Sequence, residues 1–355
     1  MFLSQVALMA EILFFLRRNY LDAPGGDTVQ MESWRKVITS LGHNVSLTCD
    51  HHDRSAFSSA DAVFIWHLER IQDSCSGFLA AKKSGKKVFL VPTCWQRESR
   101  ITPARMLSED IKQRLRQIIR PTPGNWSLLF KLWYFCRRNM LKNSDLLLVN
   151  SNAERDMLVS QGADINRVTV IPNVIDEELA NEVEIADFDK RSTSIHVGHF
   201  CPRKNQLGLI EALTSCSFDV TFAGKARPMH RSYWRKCRKI AGTRHDFPGA
   251  LPRKKVLELM AKSRLSISTS IVETPGIANL EAAALGCMPV LPDIAPVREY
   301  FGDMAYYIDP ENIKHNILEA AYQAVPDGRL RKRILDNYTE KNLFPIFQKL
   351  FAENL

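Results

Sequence analysis

The chain has 355 residues, 45% of them hydrophobic, with a formal net charge of +9 and a pI near 9.1. The hydrophobic share is that of a soluble globular protein, and the length exceeds what one core comfortably fills, so two domains of ordinary size are expected. The positive charge points to an anionic partner, whether nucleotide phosphates, nucleic acid or an acidic membrane face, and composition does not choose among these.

The first sixteen residues, MFLSQVALMAEILFFL, are apolar but interrupted by Ser4, Gln5 and Glu11, and are short of a membrane span. They lack a basic leader region and a cleavage site, so no signal peptide is expected; residues 1–8 read as a floppy extension and Ile12 to Leu16 as a first strand. A loop with Pro24, Gly25 and Gly26 follows, where backbone can approach a ligand closely or simply turn, and then a helix to about Leu41. Strands are predicted at Asn44 to Thr48, Ala62 to Trp66, Lys87 to Val91, Leu146 to Val149 and Val168 to Ile171, with helices between; that alternation implies parallel pairing.

Between the fourth and fifth strands, Ser108 to Leu141 is basic, aromatic and helical, suited either to an anionic bilayer or to packing on the sheet. Two tempting clusters read as surface features. Asp50-His51-His52-Asp53 is contiguous, and ligands adjacent in sequence rarely converge on a metal; Asp187-Phe188-Asp189 falls in an acidic stretch that reads as a linker. Eight cysteines are scattered singly, without the close pairs of zinc or dithiol chemistry, so reduced, cytosolic thiols are expected and the two N-x-S sequons at Asn44 and Asn125 carry no meaning.

After Pro172 the pattern starts again. Strand Ile195 to Val197 leads into the loop GHFCPRKN (198–205) and a helix from Gln206 to Leu213. Strand Val220 to Ala223, a very basic helix, a short strand from Phe247 and a helix Lys254 to Ala261 follow. For the basic run Lys225 to Lys255, the readings are a solvated face, attraction of a nucleotide, or membrane contact. Leu265 to Leu291 then forms a βαβ unit: a strand, a polar loop, an Ala-rich helix with Pro275 and Gly276 at its start, a stop at Gly286 and a second strand. Tyr306 to Ile308 is the last strand, with helices at Glu311 to Ala324 and Leu330 to Leu350.

Glu273 and Glu281 flank the start of the Ala-rich helix, whose free N–H groups suit an anion. With a rise of about 1.5 Å per residue their carboxylates stand roughly 10–12 Å apart, beyond the about 5–9.5 Å of a glycosidase pair, so they suit two ends of one extended ligand.

ETPGIANLEAAALGCMPVL resembles the motif of the retaining GT-B glycosyltransferases of family four, the glycosyl transferases group 1. VGHFCPRK (197–204) is similar to that family's diphosphate loop, Val149-Asn150-Ser151 and IPNVID (171–176) to its interdomain passage, and PGGDTVQ (24–30) to the glycine loop of one bacterial branch. These cover nearly the whole chain in order. The resemblance implies an α/β fold of GT-B architecture, two Rossmann-like doubly wound domains facing across a cleft: 1–172 on the acceptor side, an acidic linker at 173–190, a nucleotide-sugar domain at 191–330, and a helix at 331–355 packing back on the first domain.

It further implies that Glu281 holds the donor ribose, Glu273 contacts the sugar ring, and Lys204 with Arg203 neutralises the diphosphate. His199, Gly198, the backbone of Thr274, Gly276 and Ile277, and Gly25 and Gly26 would complete the donor contacts, with no metal and no cofactor. The implied activity is transfer from a nucleotide sugar to a glycan or lipid-linked acceptor on the cytoplasmic face of the cell membrane, in cell-surface polysaccharide or glycolipid assembly. Nucleic acid is not an expected partner; a sugar-nucleotide epimerase or an inactive GT-B scaffold are the competing implications. Two positions depart from the family. His199 stands where many members carry arginine, and Thr93-Cys94-Trp95 where many place a histidine, with His67 as a possible substitute.

Overall fold

The computed structural model describes residues 9–22, 24–94, 126–325 and 328–355. They fall into two compact units, residues Met1–Pro172 with Leu343–Leu355, and residues Asn173–Asn342.

The first unit is built on β1 (Glu11–Phe15), β2 (Asn44–Thr48), β3 (Ala62–Trp66), β4 (Lys87–Val91), β5 (Leu146–Val149) and β6 (Val168–Val170). All pair in parallel, in the order β2-β1-β3-β4-β5-β6. A parallel sheet covered by helices on both faces needs strands apolar on both sides, which is why β1, β3 and β4 read as unbroken apolar runs. Leu13, Phe15, Val63, Ile65, Val88 and Leu90 pack into one core with Phe57 and Phe78. On alternate positions, Phe64 and Trp66 meet Trp34 of the helix Gly26–Ser40, and Phe14 packs against both. The helix Leu343–Asn354 completes that second layer: Phe347 stacks edge-on to Trp34 at 5.3 Å and Phe351 to His43 at 4.6 Å.

The second unit carries β7 (Thr193–Val197), β8 (Thr221–Ala223), β9 (Asp246–Gly249), β10 (Ser263–Ile267), β11 (Met288–Pro292) and β12 (Tyr306–Ile308), all parallel, in the order β12-β11-β10-β7-β8-β9. Counted from its own first strand this is the 3-2-1-4-5-6 winding of dinucleotide-binding sheets. The α/β class and the doubly wound GT-B plan expected from the sequence are the ones observed.

Residues 173–190, expected as a linker, lie inside the second unit. Helix Glu177–Asn181 and a turn at Phe188–Lys190 form there, and Ala180, Val183 and Phe188 are buried against its core. The single helix expected at 330–350 is two, Gly328–Asn337 and Leu343–Asn354. The break has a hydrogen-bond cause: the Tyr338 carbonyl, which a continuous helix would offer to residue 342, accepts from Ile175 N at 2.9 Å instead. Asn342 Oδ1 then takes the Thr339 N–H at 3.0 Å. A seven-residue helix, Ala295–Phe301, has no counterpart among the predicted elements.

The first part of the basic aromatic stretch (108–125), residues 1–8 and Trp95 lie outside the described residues. Further along that stretch, in helix Trp126–Asn143, Trp133 packs on the first core while Leu132, Tyr134 and Phe135 are exposed. Among the described residues no helix is long and apolar enough to cross a membrane.

Candidate active site

In a doubly wound sheet, ligands bind beyond the carboxyl ends of the strands where the winding direction reverses. In the second unit that point lies between the neighbours β7 and β10, and the loops leaving these two strands carry Lys204 and Glu273.

The two loops are fastened to each other by backbone. Ile271 N donates to the Arg203 carbonyl at 2.9 Å, and Thr269 Oγ1 donates to the carbonyls of Lys204 and Asn205 at 3.3 and 3.1 Å. This fixes the side chains above them. Lys204 Nζ is ion-paired with Glu273 Oε2. Arg203 Nη1 lies 3.7 Å from Glu273 Oε1 and donates to the Val272 carbonyl at 3.0 Å. Ser270 Oγ donates to Glu273 Oε2 at 2.8 Å. Glu273 is only 5% exposed, and burial alone would push its carboxyl up; Lys204 and Arg203, with the Ser270 hydroxyl, outweigh this and hold it below its usual value.

Gly276 turns the chain with φ +78° into the helix Ile277–Ala284. A β-carbon there would stand 2.7 Å from Asn279 Nδ2, so only glycine fits. The N–H groups of Thr274, Gly276 and Ile277 take no backbone acceptor among the described residues, which leaves them for an anion. Behind them, His196 on β7 is 1% exposed, gives Nδ1 to the Ile267 carbonyl at 2.9 Å, and has no partner for Nε2 among the described residues. Burial, and Lys204 beside it, bring its pKa down to about 4, so it is neutral.

Glu281 stands on the same helix, 8% exposed, and is held by Arg253, whose Nε and Nη2 both donate to Oε1 at 2.9 and 2.5 Å. Burial raises its carboxyl pKa and Arg253 opposes that rise. His199 Nδ1 meets the Lys225 carbonyl at 3.3 Å, while Gln206 Nε2 donates to the His199 carbonyl at 2.9 Å. Gly198 lies against Gly224, where a β-carbon would come within 2.0 Å of the Gly198 carbonyl oxygen. Gly224→Ala is therefore expected to push the 198–205 loop off the strand ends, with a loss of about 1–3 kcal/mol from overpacking. Thermal melting read together with nucleotide binding checks this, and an unchanged variant would show that the loop position is unimportant.

The first unit has its own reversal point, between β1 and β3, where a buried polar network has formed. Arg17, at the end of β1, pairs through Nε with Asp27 Oδ2 at 2.5 Å. His67, at the end of β3, offers Nε2 to the same carboxylate at 3.0 Å and Nδ1 to Thr93 Oγ1 at 2.7 Å. His67 and Thr93 both adopt left-handed backbone, φ +74° and +45°, which non-glycine residues enter only under constraint. Burial pushes Asp27 up, but hydrogen bonds and charge from His67 and Arg17 hold it well below the usual carboxylate range. Gly25 and Gly26 sit beside this network at the start of the helix Gly26–Ser40.

The structure thus brings together Lys204, Arg203, Glu273 and the 274–277 backbone. It places Glu281 one turn further along with Arg253, leaves His199 on Lys225, and puts Gly25 and Gly26 in the other unit. Arg253, Ser270 and His196 escape the sequence reading because no spacing rule ties them to Glu273 or Glu281; the one signal for Arg253 was a cation directly after Pro252 at a helix start. Asp50, His51 and His52 do bring ligand atoms within 4.8 Å of one another. An Asx turn accounts for it, with His52 N on Asp50 Oδ1 at 2.9 Å, and Asp53 caps the next helix through Ala56 N at 3.0 Å. In Asp187-Phe188-Asp189 the central side chain is core and Asp187 faces Lys190 at 3.8 Å.

Two parallel doubly wound units, the second with cations and free N–H groups at its reversal point, define the GT-B class. Residues 177–341 match the family model described as glycosyl transferases group 1. Similar solved structures include HepE of Anabaena with UDP-glucose, 14% identical over 97% of this chain and 100% of its own, TM-score 0.72. Sucrose-phosphate synthase of Thermosynechococcus elongatus is 13% identical over 97% and 100%, TM-score 0.69. An alpha-glucosyltransferase in complex with UDP and a 13-mer DNA is 12% identical over 97% and 99%, TM-score 0.57. These likenesses establish the fold. No curated protein matches the sequence.

Proposed function

We propose that the protein is a retaining, metal-independent glycosyltransferase that moves a sugar from a nucleotide-sugar donor, bound by the second unit, to a glycan or lipid-linked acceptor. The observation that carries this is the ion pair of Lys204 with Glu273, flanked by Arg203 and the free N–H groups of 274–277, at the reversal point of the second sheet. When a glycosidic bond to a diphosphate breaks, negative charge grows on the phosphate oxygens. An ammonium with three donors can keep Glu273 and take a phosphate oxygen at once, and donors fixed before the reaction stabilise that charge without reorganising. Glu273, held ionised, faces the sugar ring in this reading, and Glu281 takes the ribose hydroxyls. These fixed cations supply the neutralisation that a metal would otherwise provide.

The exposed Leu132, Tyr134 and Phe135 on a basic helix support work at the inner face of the cell membrane, in cell-surface polysaccharide or glycolipid assembly. The test is incubation with a panel of nucleotide sugars, following nucleotide release and the anomeric configuration of the product. Retained configuration, with transfer lost in Glu273→Ala, is expected. Donor interconversion without any acceptor would replace this reading by an epimerase, and transfer that survives in Glu273→Ala would sink the site assignment.

A further inference from the structure

Resting on the reading of Glu281 as the ribose grip, we infer that Arg253 is the positioning residue that sets this grip, holding one carboxylate oxygen so that the other faces the nucleotide's ribose hydroxyls. The geometry is specific. Both Arg253 donors converge on Oε1, and Oε2 accepts from no described residue. A symmetric fork would have occupied both oxygens. The guanidinium also sits at a fixed point. Arg253 opens the helix Arg253–Lys262 directly after Pro252, and Leu257, Met260 and Ala261 of that helix pack in one core with Ala282 and Leu285 of the stretch that carries Glu281. The Glu281 side chain is 10% exposed and that of Arg253 35%, so the arginine reaches from the rim to a carboxylate that water hardly reaches.

Charge points the same way. The groups acting on Glu281 are Arg253 and, from the segment before Glu177, Asp176, a second negative charge. Burial and Asp176 both favour the neutral acid, and Arg253 alone opposes them. A neutral Glu281 would be a poor acceptor for a ribose hydroxyl, so Arg253 acts on the nucleotide through the carboxylate and need not touch it.

Two probes separate this role from general stability: a nucleoside diphosphate, the tightest of UDP, GDP and ADP, and its 2′,3′-dideoxy form, each titrated calorimetrically into wild type, Arg253→Gln and Arg253→Lys between pH 6 and 8. Without Arg253 the Glu281 pKa rises further, so the carboxylate is lost as the pH falls. In Arg253→Gln the ribose-bearing probe is expected to weaken about tenfold or more at pH 6 and to recover as the pH rises, while the dideoxy probe is unchanged. The diphosphate's own titration cancels in the ratio of the two probes, and Arg253→Lys restores part of the difference. Equal weakening of both probes, or weakening of neither, overturns the assignment alone. If the wild type binds the dideoxy probe as tightly as its parent, the ribose reading of Glu281 falls; if it binds no nucleoside diphosphate, the donor reading falls and this inference with it.

Discussion

Asp27→Asn unfolds the first unit at markedly lower denaturant than wild type, with a loss of about 3–5 kcal/mol. The magnitude is that of removing one partner from a buried ion pair. The Arg17 side chain is 1% exposed, and Asp27 is the carboxylate on its guanidinium; asparagine keeps the shape and leaves the cation buried. His67 loses the same partner, and with it the contact that helps hold residues 67 and 93 in left-handed backbone. The pH dependence has a definite sign. The folded value of Asp27 lies below its ordinary 3.8, so its contribution is present above that pH and is lost as the pH falls toward the folded value. The gap between wild type and variant is therefore full at neutral pH and narrows in acid. Urea unfolding followed by tryptophan fluorescence reads it directly, because Trp34 and Trp66 are buried in this unit. A variant as stable as wild type at pH 7 would mean the network is idle.

Lys204→Ala is the largest expected loss of activity. Removing one preorganised donor at a developing anion costs about 10²–10³ in kcat, and here the residue removed also carries the full charge. Affinity for the nucleoside diphosphate should fall less than kcat, since the charge on the leaving diphosphate is greater in the transition state than in the bound donor. The Glu273 carboxylate, 6% exposed in its side chain, would also lose its closest cation and keep only Arg203 at 3.7 Å. Steady-state kinetics alongside nucleotide titration separates the two effects. Equal losses in binding and turnover would reduce Lys204 to a ground-state anchor, and unchanged turnover would remove it from the site.

The fold was legible because parallel strands buried on both faces are short apolar runs between helical stretches, and β2, β3, β4, β5 and β12 fall on their predicted residues. The broken helix after Asn337 was not, because its cause is a carbonyl claimed by Ile175, more than 160 residues earlier. In the site, Glu273 and Lys204 were legible through motifs whose members sit close together in sequence. The Arg17–Asp27–His67–Thr93 network joins four separate strand ends or loops, and nothing in the residue types at 67 and 93 announces left-handed backbone. Arg253 was hidden differently: among the many cations between 225 and 255, only the fold shows which one turns inward.

The helix Leu343–Asn354 belongs to the unit whose remaining residues lie before 173. A ribosome releases chain from the N-terminal end, and domains tend to fold as they emerge. The second unit is contiguous in sequence, whereas the first must wait with Trp34, His43 and Phe64 uncovered until Phe347 and Phe351 arrive. The unit made first is thus the one completed last, and in the interval its aromatic face stands open to water.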